Sequence, residues 1–516
     1  MNRSGWPPEP AVRAGRMSGG VPAFATPEDC DTLRALFVAA GYCETRLRDM
    51  LGADAHSLRP PDAAMLRRRT AADPASGVLV RLLAAGSEIP RAELTSALGE
   101  DGVAALERVG LIEVDVAGEH GEEGKVGEAC IHACVRLVPA GAGWLASDRL
   151  DRHRTEAGDF VPGPSPVSRH LADLVVSRTV DSALDLGCGC GILALGIAGH
   201  ARRVVATDLN PRAVAMTHFN AMLNGIGRVH AIEGDLFAAL GGERFELVVS
   251  NPPFVLSPRP TYLYRDGGAS LSRRIVREAP AHLAAGGWLQ MLCNWPQRAG
   301  QDWRAELESW FEGNDCDVWV LRDFSGDALS YAGVWLAQQY PEGIPDAVLA
   351  EWLDYLAGDG IDSVGGGLIV MRRVTGRTAW REFRDMPALV PPAGESLART
   401  VEARDLLLRM TTDEDLLQAR LRPSPDLVYQ AAQRPSGQGW EVVEPRLTLA
   451  AGLRFAMQAD PVAMAIIGRL DGRRTLREAV ADFAAGHGMP VEFFLQNLPK
   501  AFRELIWLGL VCPVAV

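Results

Sequence analysis

Lysines, paired cysteines and long apolar runs are all scarce in this chain of 516 residues. No run approaches the roughly 18 apolar residues that a membrane span needs, so we expect no membrane segment. The first 25 residues lack the apolar stretch of a secretory leader, so we expect no signal peptide. Only Lys125 and Lys500 are lysines, and nearly all of the positive charge is therefore arginine. This bias fits GC-rich coding and does not indicate a function.

The charge balance argues against one class of partner. The chain has 52 Lys and Arg against 65 Asp and Glu, a formal net charge of −13. General affinity for a nucleic acid backbone needs a basic surface, although an acidic chain can still carry a local basic groove. We therefore expect a protein partner in preference to RNA or DNA.

The cysteines indicate the redox compartment. The nine cysteines are sparse, scattered and odd in number, which is typical of free thiols in a reducing cytoplasm. Cys130-Ile-His-Ala-Cys134 comes nearest to a metal site, because alternate residues of a strand share one face. No second ligand pair with zinc spacing follows it, so we predict a buried strand face and no metal.

Composition and periodicity divide the chain into four parts. Residues 1–25 are rich in Pro, Gly and Arg and predict a disordered tail. Residues 26–150 read as helices followed by a hairpin, beginning with Thr26 as a helix cap, which is a winged-helix pattern. Residues 151–375 alternate strands with helices, and residues 376–516 predict a second helical or winged-helix module. In that module Thr475 and Glu478 predict a capping box, and Pro499 is expected to interrupt the next helix. The acidic charge favours packing or protein contact over DNA binding for these flanking modules.

The central part predicts an α/β fold with a doubly wound parallel sheet. Apolar segments alternate there with helical ones, and residues 334–357 predict an extra helical insertion before the last strand. The seven predicted strands are SALDLG (182–187), RVVATD (203–208), VHAIEGD (229–235), FELVVSN (245–251), GWLQMLCNW (287–295), DVWVLR (317–322) and GLIVMRRV (367–374).

A glycine loop follows the first of these strands, where a doubly wound sheet binds its ligand. The segment runs from Asp185 to Gly191, with Gly187, Gly189 and Gly191 at alternate positions. Such glycines let the backbone approach a ligand closely. The G-x-G-x-G spacing differs from the dinucleotide G-x-G-x-x-G, and it suits a nucleoside that carries an amino-acid tail.

Acidic residues end the next two strands. Asp208 ends the second strand, where a carboxylate can accept hydrogen bonds from both ribose hydroxyls. Asp235 ends the third strand, where it can accept from an adenine amino group, with Leu209 and Leu236 against the ring faces. Either aspartate alone could be a helix cap or turn residue. Three such sites in order on successive strands favour ligand binding.

Taken together, residues 160–374 resemble a class I S-adenosylmethionine-dependent methyltransferase. The resemblance places the first motif of the family on Asp185 to Gly191, its ribose-binding acid on Asp208 and its adenine-binding acid on Asp235. It implies S-adenosyl-L-methionine as the cofactor. It also implies a seven-stranded Rossmann-like methyltransferase core, with the helical or winged-helix modules on its amino- and carboxyl-terminal sides.

The fourth strand ends in Asn251-Pro252-Pro253-Phe254, which predicts the methyl-acceptor site. Two prolines fix the backbone, so that the Asn251 side-chain oxygen and the Pro252 carbonyl can both face a nitrogen bearing two hydrogens. Phe254 offers a ring face for a planar amide or base. Hydrogen bonds to both N–H groups would draw the nitrogen out of its planar, conjugated form. Its lone pair would then be free for in-line attack on a methyl group. Because Asn251 is next to the expected sulfonium, we also count it among the cofactor contacts.

This motif is similar to that of methyltransferases acting on exocyclic amino groups of adenine or guanine. It is equally similar to that of the HemK-like enzymes, which methylate the glutamine amide of release factors. The chain departs from the HemK-like pattern by having Phe254 where Tyr is usual and by its large C-terminal extension, which puts a release-factor substrate in doubt.

Three functions remain open from the sequence. The leading hypothesis is an N-methyltransferase acting on an amide or amino nitrogen of a macromolecule. The second is a small-molecule methyltransferase of secondary metabolism. The third is a non-catalytic regulatory protein that keeps a methyltransferase fold, and the intact motifs argue against it.

Overall fold

The computed structural model describes residues 20–52, 63–115, 129–149, 158–258, 270–340, 342–437 and 439–514. Within these ranges the chain forms two compact units. The first takes in the residues up to Ala172 together with Thr179–Arg384, and the second takes in Asp173–Arg178 and the residues from Asp385 onward. None of the helices in the described ranges has the length and apolar character needed to cross a membrane.

The first unit begins with a small helical module. Its helices are α1 (Pro27–Ala39), α2 (Glu44–Leu51), α3 (Ala63–Thr70), α4 (Pro74–Leu79, continued by a π-helical turn, Val80–Ala84) and α5 (Arg91–Arg108), which is kinked at Gly99. Its strands are β1 (Ile89–Pro90), β2 (Ile112–Asp115), β3 (Cys130–Ala133), β4 (Arg136–Ala140) and β5 (Gly143–Ser147). The first three strands form a sheet in the order β1-β3-β2, and β4 and β5 form a hairpin. The winged-helix interpretation stays a prediction.

The start of the module differs from the expected tail. Thr26 caps α1 in a capping box with Asp29, which confirms the predicted helix start. We expected the disordered segment to reach residue 25, but Val21 and Phe24 are buried. The Phe24 ring stacks on Phe219 of the central part, with ring centroids 4.7 Å apart. This apolar burial holds residues 20–25 in the core, and residues 1–19 lie outside the described residues.

The central part of the first unit is an eight-stranded sheet. Its strands are β6 (Val180–Leu186), β7 (Ala201–Asp208), β8 (Val229–Glu233), β9 (Phe245–Ser250), β10 (Leu283–Arg298), β11 (Cys316–Asp327), β12 (Ile361–Arg373) and β13 (Arg381–Asp385). They lie in the order β13-β11-β12-β10-β9-β6-β7-β8. All seven predicted segments form strands, which confirms the α/β core, and β13 adds an edge strand that we did not predict.

The last predicted strand corrects the expectation of a parallel sheet. Strands β6 to β10 pair in parallel, but β12 lies antiparallel between β10 and β11. Two helices, α11 (Ala328–Gln339) and α12 (Asp346–Gly358), form the insertion before it, which begins six residues earlier than the predicted 334. Because the two helices pack against each other, the chain returns to the edge where β11 ended. Asp327 of β11 therefore lies opposite Ser363 of β12.

Short helices cover the sheet. They are α6 (Pro166–Leu174), α7 (Ile192–Ile197), α8 (Pro211–Leu223), α9 (Ser270–His282) and α10 (Trp303–Glu308). One buried apolar cluster joins α8 to the N-terminal module, and it includes Met216, Phe219 and Leu223 of α8 together with Phe37 and Leu106 of the module. The module and α8 therefore share one buried core.

The second unit is mainly helical. Its helices are α13 (Gly394–Arg409), α14 (Asp413–Gln418), α15 (Pro461–Ile467), α16 (Leu476–His487) and α17 (Val491–Trp507). Its strands are β14 (Ala388–Val390), β15 (Leu421–Pro423), β16 (Leu427–Ser436), β17 (Gly439–Leu449), β18 (Gly452–Arg454), β19 (Ala456–Gln458) and β20 (Val511–Pro513).

Two local predictions for this unit have opposite outcomes. The capping box of Thr475 and Glu478 is confirmed at the start of α16. Pro499 was expected to interrupt the next helix, but α17 continues through it. Apolar residues of α17 on both sides of the proline are buried, among them Phe494 and Phe502. Tertiary packing therefore offsets the hydrogen bond that the proline removes.

Candidate functional site

The predicted site residues meet at one edge of the sheet. Strands β6, β7, β8 and β9 are parallel, so their carboxyl ends lie side by side. The register pairs Leu186 with Thr207 and with Ser250, and Asp208 with Glu233. Parallel α/β sheets bind ligands in the crevice at this edge. The glycine loop follows β6 and the Asn-Pro-Pro-Phe segment follows β9. Asp208 is the last residue of β7, as predicted, whereas Asp235 lies two residues beyond the end of β8.

The glycine loop turns sharply and leaves one side open. Gly187, Gly189 and Gly191 have φ values of 78°, 55° and 83°, which side chains rarely adopt. A Cβ built on Gly187 or Gly189 would meet no atom of the described residues within 4 Å, whereas one on Gly191 would meet the Thr217 side chain at 2.9 Å. Gly191 is therefore required for packing, and the other two face open space.

Asp185 lies beneath the loop and is fully buried. Its Oδ2 accepts a hydrogen bond from the Ala194 backbone N–H at 2.8 Å, which fixes the start of α7. Its Oδ1 is buried and has no hydrogen-bond partner among the described residues. Burial raises the pKa of Asp185 to about 7. One acceptor atom of this carboxyl group is thus available at the loop.

Asp208 is held by the backbone. Its Oδ2 accepts from the Gly189 N–H and its Oδ1 from the Asn210 N–H, both at 2.9 Å. Burial raises the pKa of Asp208, and these backbone donors oppose that effect. Each oxygen keeps a lone pair that no backbone donor uses. The carboxylate is therefore fixed in orientation and can still accept from a ligand's hydroxyl groups.

Asp235 has a charged partner that we did not predict. Arg274 of α9 donates to both carboxylate oxygens, at 2.8 and 3.0 Å, and both side chains are partly exposed. Leu236 follows with a φ of 51°, and Leu209 is 70% exposed. The adenine-binding role of Asp235, Leu209 and Leu236 stays a prediction. An arginine on the following helix carries no local sequence signal that would have revealed the pair.

One buried polar atom of the Asn-Pro-Pro-Phe segment has no hydrogen-bond partner among the described residues. Asn251 is half-buried, and its Oδ1 is buried with no hydrogen-bond partner among the described residues. Pro252 is buried, and Phe254 meets Trp335 of α11 edge to face, with ring centroids 6.3 Å apart. Leaving a buried acceptor unpaired costs about 1–3 kcal/mol, so such an atom in a cleft points to a ligand.

Residues of the insertion contact the Asn-Pro-Pro-Phe segment and the residues next to it. The buried Tyr331 hydroxyl accepts from the Leu256 backbone N–H and from Asn294 Nδ2, both at 2.9 Å. Burial raises the pKa of Tyr331, so the phenol stays neutral. Sequence reasoning missed Tyr331 and Trp335. Their spacing of four residues on one helix, which puts both rings on the same face, was the available signal. The loop 259–269 lies outside the described residues.

Comparison with known families covers three segments of the chain. Residues 166–314 match the family described as Methyltransferase small domain. Residues 39–121 and 401–513 match two families, each described as Domain of unknown function (DUF7059 and DUF7782, respectively).

Individual relatives resemble parts of the central region. A release factor glutamine methyltransferase from Geobacter sulfurreducens is 35% identical over 157 residues, which are 26% of this chain and 55% of that protein. A ribosomal RNA small subunit methyltransferase C from Alcanivorax borkumensis is 34% identical over 112 residues, 22% of this chain and 31% of that protein. The chain thus spans about half the length of the first relative and about a third of the second.

A solved methyltransferase from Streptococcus mutans in complex with SAH is 13% identical, covers 41% of this chain and 100% of its own, and has a TM-score of 0.26. A TM-score this low supports no inference from that structure to this chain. The conclusion comes from the family match and the curated relatives. Residues 166–314 are similar to the methyltransferase small domain, and this match together with the curated relatives supports a class I S-adenosylmethionine-dependent methyltransferase of the HemK-like group.

Proposed function

We propose that this chain transfers a methyl group from S-adenosylmethionine to a planar amide or amino nitrogen of a macromolecule. The observation that carries the proposal is the buried, unpartnered Oδ1 of Asn251 at the end of β9. It lies at the same sheet edge as the backbone-held carboxylate of Asp208. A side-chain acceptor without a donor next to a nucleoside-binding edge fits a substrate that brings its own N–H groups.

The residues at the edge fit the cofactor. Gly187 and Gly189 leave room for close approach, and Asp185 Oδ1 and the Asp208 carboxylate offer acceptors. In this proposal Asp208 accepts from the ribose hydroxyls, and Asp235 lies where it can accept from the adenine amino group, with Leu209 and Leu236 beside the ring. When bound, S-adenosylmethionine supplies an electrophilic methyl group.

Asn251 and Pro252 then act on the acceptor. The Asn251 Oδ1 and the Pro252 carbonyl accept the two N–H hydrogens of the substrate. This holds the nitrogen in place and draws its lone pair out of conjugation, towards the methyl group. Pro253 keeps the turn rigid, because its ring locks φ. Phe254 lies against the planar group, and Trp335 supports the Phe254 ring from the side.

The substrate class follows from charge and from the relatives. The relatives named above act on a protein release factor and on ribosomal RNA. A net charge of −13 favours a protein substrate here. We propose that residues 26–150 and 376–516 help to dock that substrate beside the catalytic part, 151–375. The three family matches, one in each of these ranges, support this division. None of the nine cysteines, all of them in the described part of the chain, forms a disulfide, which supports a reducing cytoplasm.

Asp208→Ala should weaken the binding of S-adenosylmethionine. The substitution removes an acceptor for the ribose hydroxyls, and hydrogen bonds to a charged group contribute roughly 1.5–3 kcal/mol. Isothermal calorimetry on variants with a cooperative thermal transition measures the change. Asp181→Ala is the matched control, because that exposed aspartate lies at the opposite end of β6. Equal cofactor affinity in the two variants would contradict the role of Asp208.

Radiolabelled methyl transfer tests the proposed function as a whole. The purified full chain is incubated with labelled S-adenosylmethionine and a fractionated lysate, with Asn251→Ala as the inactive comparison. We expect a labelled band that protease removes and RNase leaves, and hydrolysis should release the label as methylamine. An RNase-sensitive band would move the substrate to RNA. Label released as methanol would show an oxygen acceptor and contradict the proposal.

A further inference from the structure

We infer that Asp148 is a positioning residue through which the N-terminal module sets the affinity of the cofactor site. The inference rests on the proposed function, because it concerns the same S-adenosylmethionine site. Asp148 directly follows β5, the last strand of the module, and is 2% exposed. Its side chain contacts two segments, the one before α6 and the start of α8. Asn210 connects both of them to Asp208, which bonds to Gly189 of the glycine loop.

The first contact of Asp148 is with the segment before α6. The Asp148 backbone N–H donates to the Val161 carbonyl at 2.9 Å, and Asp148 Oδ2 accepts from the Val161 N–H at 2.8 Å. A Cβ built on Gly163 would lie 2.7 Å from Ser147 Oγ and 3.3 Å from the Arg136 guanidinium. This segment therefore lies tightly against the β4–β5 hairpin and follows the position of the module.

The second contact is a buried ion pair with the start of α8. Arg212 Nε lies 3.0 and 3.1 Å from the two carboxylate oxygens of Asp148, and Arg212 Nη2 lies 2.5 Å from Oδ1. Arg212 is 4% exposed, so its charge needs this carboxylate. A two-point contact of this kind fixes direction as well as distance.

Asn210 joins both contacts to the ribose-binding acid. Its Oδ1 accepts from the Arg212 N–H, its Nδ2 donates to the Asp159 carbonyl, and its own N–H donates to Asp208 Oδ1, each at 2.9 Å. Asn210 is itself buried. Moving Asp148 would thus move the start of α8 and the segment at residues 159–161, and both movements reach the Asp208 carboxylate through Asn210.

The module is therefore part of the cofactor site as well as a neighbour of it. The hairpin has a separate attachment at the other end of α8, where Asn224 accepts from the Trp144 N–H and donates to its carbonyl, at 2.9 and 2.7 Å. Arg212 and Asn224 are twelve positions apart, which corresponds to about 18 Å along a helix at 1.5 Å per residue. This second attachment holds the module, and among the described residues Asn224 itself makes no hydrogen bond to Asp208, Asn210 or Arg212. It provides the matched control.

The test compares three variants of the full chain by direct titration with S-adenosylmethionine. Asp148→Asn keeps the shape of the side chain but turns an N–H donor towards Arg212 or Val161. We expect the Kd to rise about tenfold. This is the lower end of the loss seen at metal sites when a residue that orients a ligand is removed. Asn210→Ser keeps a good helix cap but loses the bond to Asp159, and we expect a rise in Kd with little loss of stability. Asn224→Ala should lower the melting temperature and leave the Kd unchanged.

The outcomes separate the inference from the proposed function. If Asn224→Ala raises the Kd as much as Asp148→Asn, general loosening explains the effect and the inference is wrong. It is also wrong if folded Asp148→Asn binds as the wild type does. Should Asp148→Asn fail to fold, Asn210→Ser decides, and an unchanged Kd there overturns the inference. A wild-type protein that does not bind S-adenosylmethionine contradicts the proposed function itself, and the inference with it.

Discussion

Asn251→Ala should almost abolish methyl transfer while the cofactor still binds. The substitution deletes the buried Oδ1 that we assign to one N–H of the substrate and leaves the backbone of the Pro-Pro turn unchanged. Without that acceptor the nitrogen lone pair stays delocalised and poorly aligned. Removing one preorganised polar contact of this kind costs roughly 10²–10³ in rate. Because the proposed ribose and adenine contacts are at Asp208, which ends β7, and at Asp235, which follows β8, the affinity for S-adenosylmethionine should change little.

Single-turnover methyl transfer, measured beside a cofactor titration, tests this prediction. The control is Asp181→Ala, since Asp181 is exposed at the opposite end of β6 from the candidate site and its loss should leave turnover unchanged. Near-normal turnover of Asn251→Ala would show that the planar-nitrogen mechanism is wrong. An oxygen or carbon acceptor served by another residue would then be the better hypothesis.

Tyr331→Phe should both destabilise the protein and slow the methyl transfer. The change removes one oxygen and leaves two buried donors, the Leu256 N–H and Asn294 Nδ2, without the acceptor they share. Each unpaired buried donor costs about 1–3 kcal/mol, so we expect a loss of roughly 2–6 kcal/mol in the free energy of unfolding. Leu256 lies two residues after Phe254, so the loop that carries the acceptor site should also lose its fixed position.

Denaturant unfolding and single-turnover rates at low temperature, where the variant is folded, measure the two effects separately. The rate should fall about 10- to 100-fold, because small misplacements of reacting groups cost this much. Tyr429→Phe is the matched control for the unfolding measurement, as it removes an exposed hydroxyl from β16. A variant that loses stability but keeps the wild-type rate would limit Tyr331 to a structural role.

Local patterns predicted the parts of the structure that depend on near neighbours. The capping boxes at Thr26 and Thr475 join residues three apart, so the sequence alone determines them. Alternation of apolar strands with helices predicted the sheet, because each strand of a doubly wound core must be apolar on both faces. The glycine loop and Asp208 were placed correctly at the strand ends, since parallel strands bring their carboxyl ends together.

Contacts between distant residues decided the rest. The antiparallel direction of β12 depends on how two inserted helices fold back, and the periodicity of β12 itself is the same in either direction. Asp235 pairs with Arg274, 39 positions away, and the Tyr331 hydroxyl accepts from Leu256, 75 positions away. No spacing rule connects such residues.

The N-terminal module shows most clearly which features depend on local sequence and which depend on distant contacts. Its helices and strands follow from apolar patterning, and the sequence alone predicted a methyltransferase core with an additional module before it. That the module shares a buried core with α8, and is joined to it by the ion pair of Asp148 and Arg212 across 64 positions, depends on the tertiary structure alone. The sequence around a charged residue looks the same whether that residue is exposed or buried in an ion pair. Only burial makes a partner of opposite charge necessary.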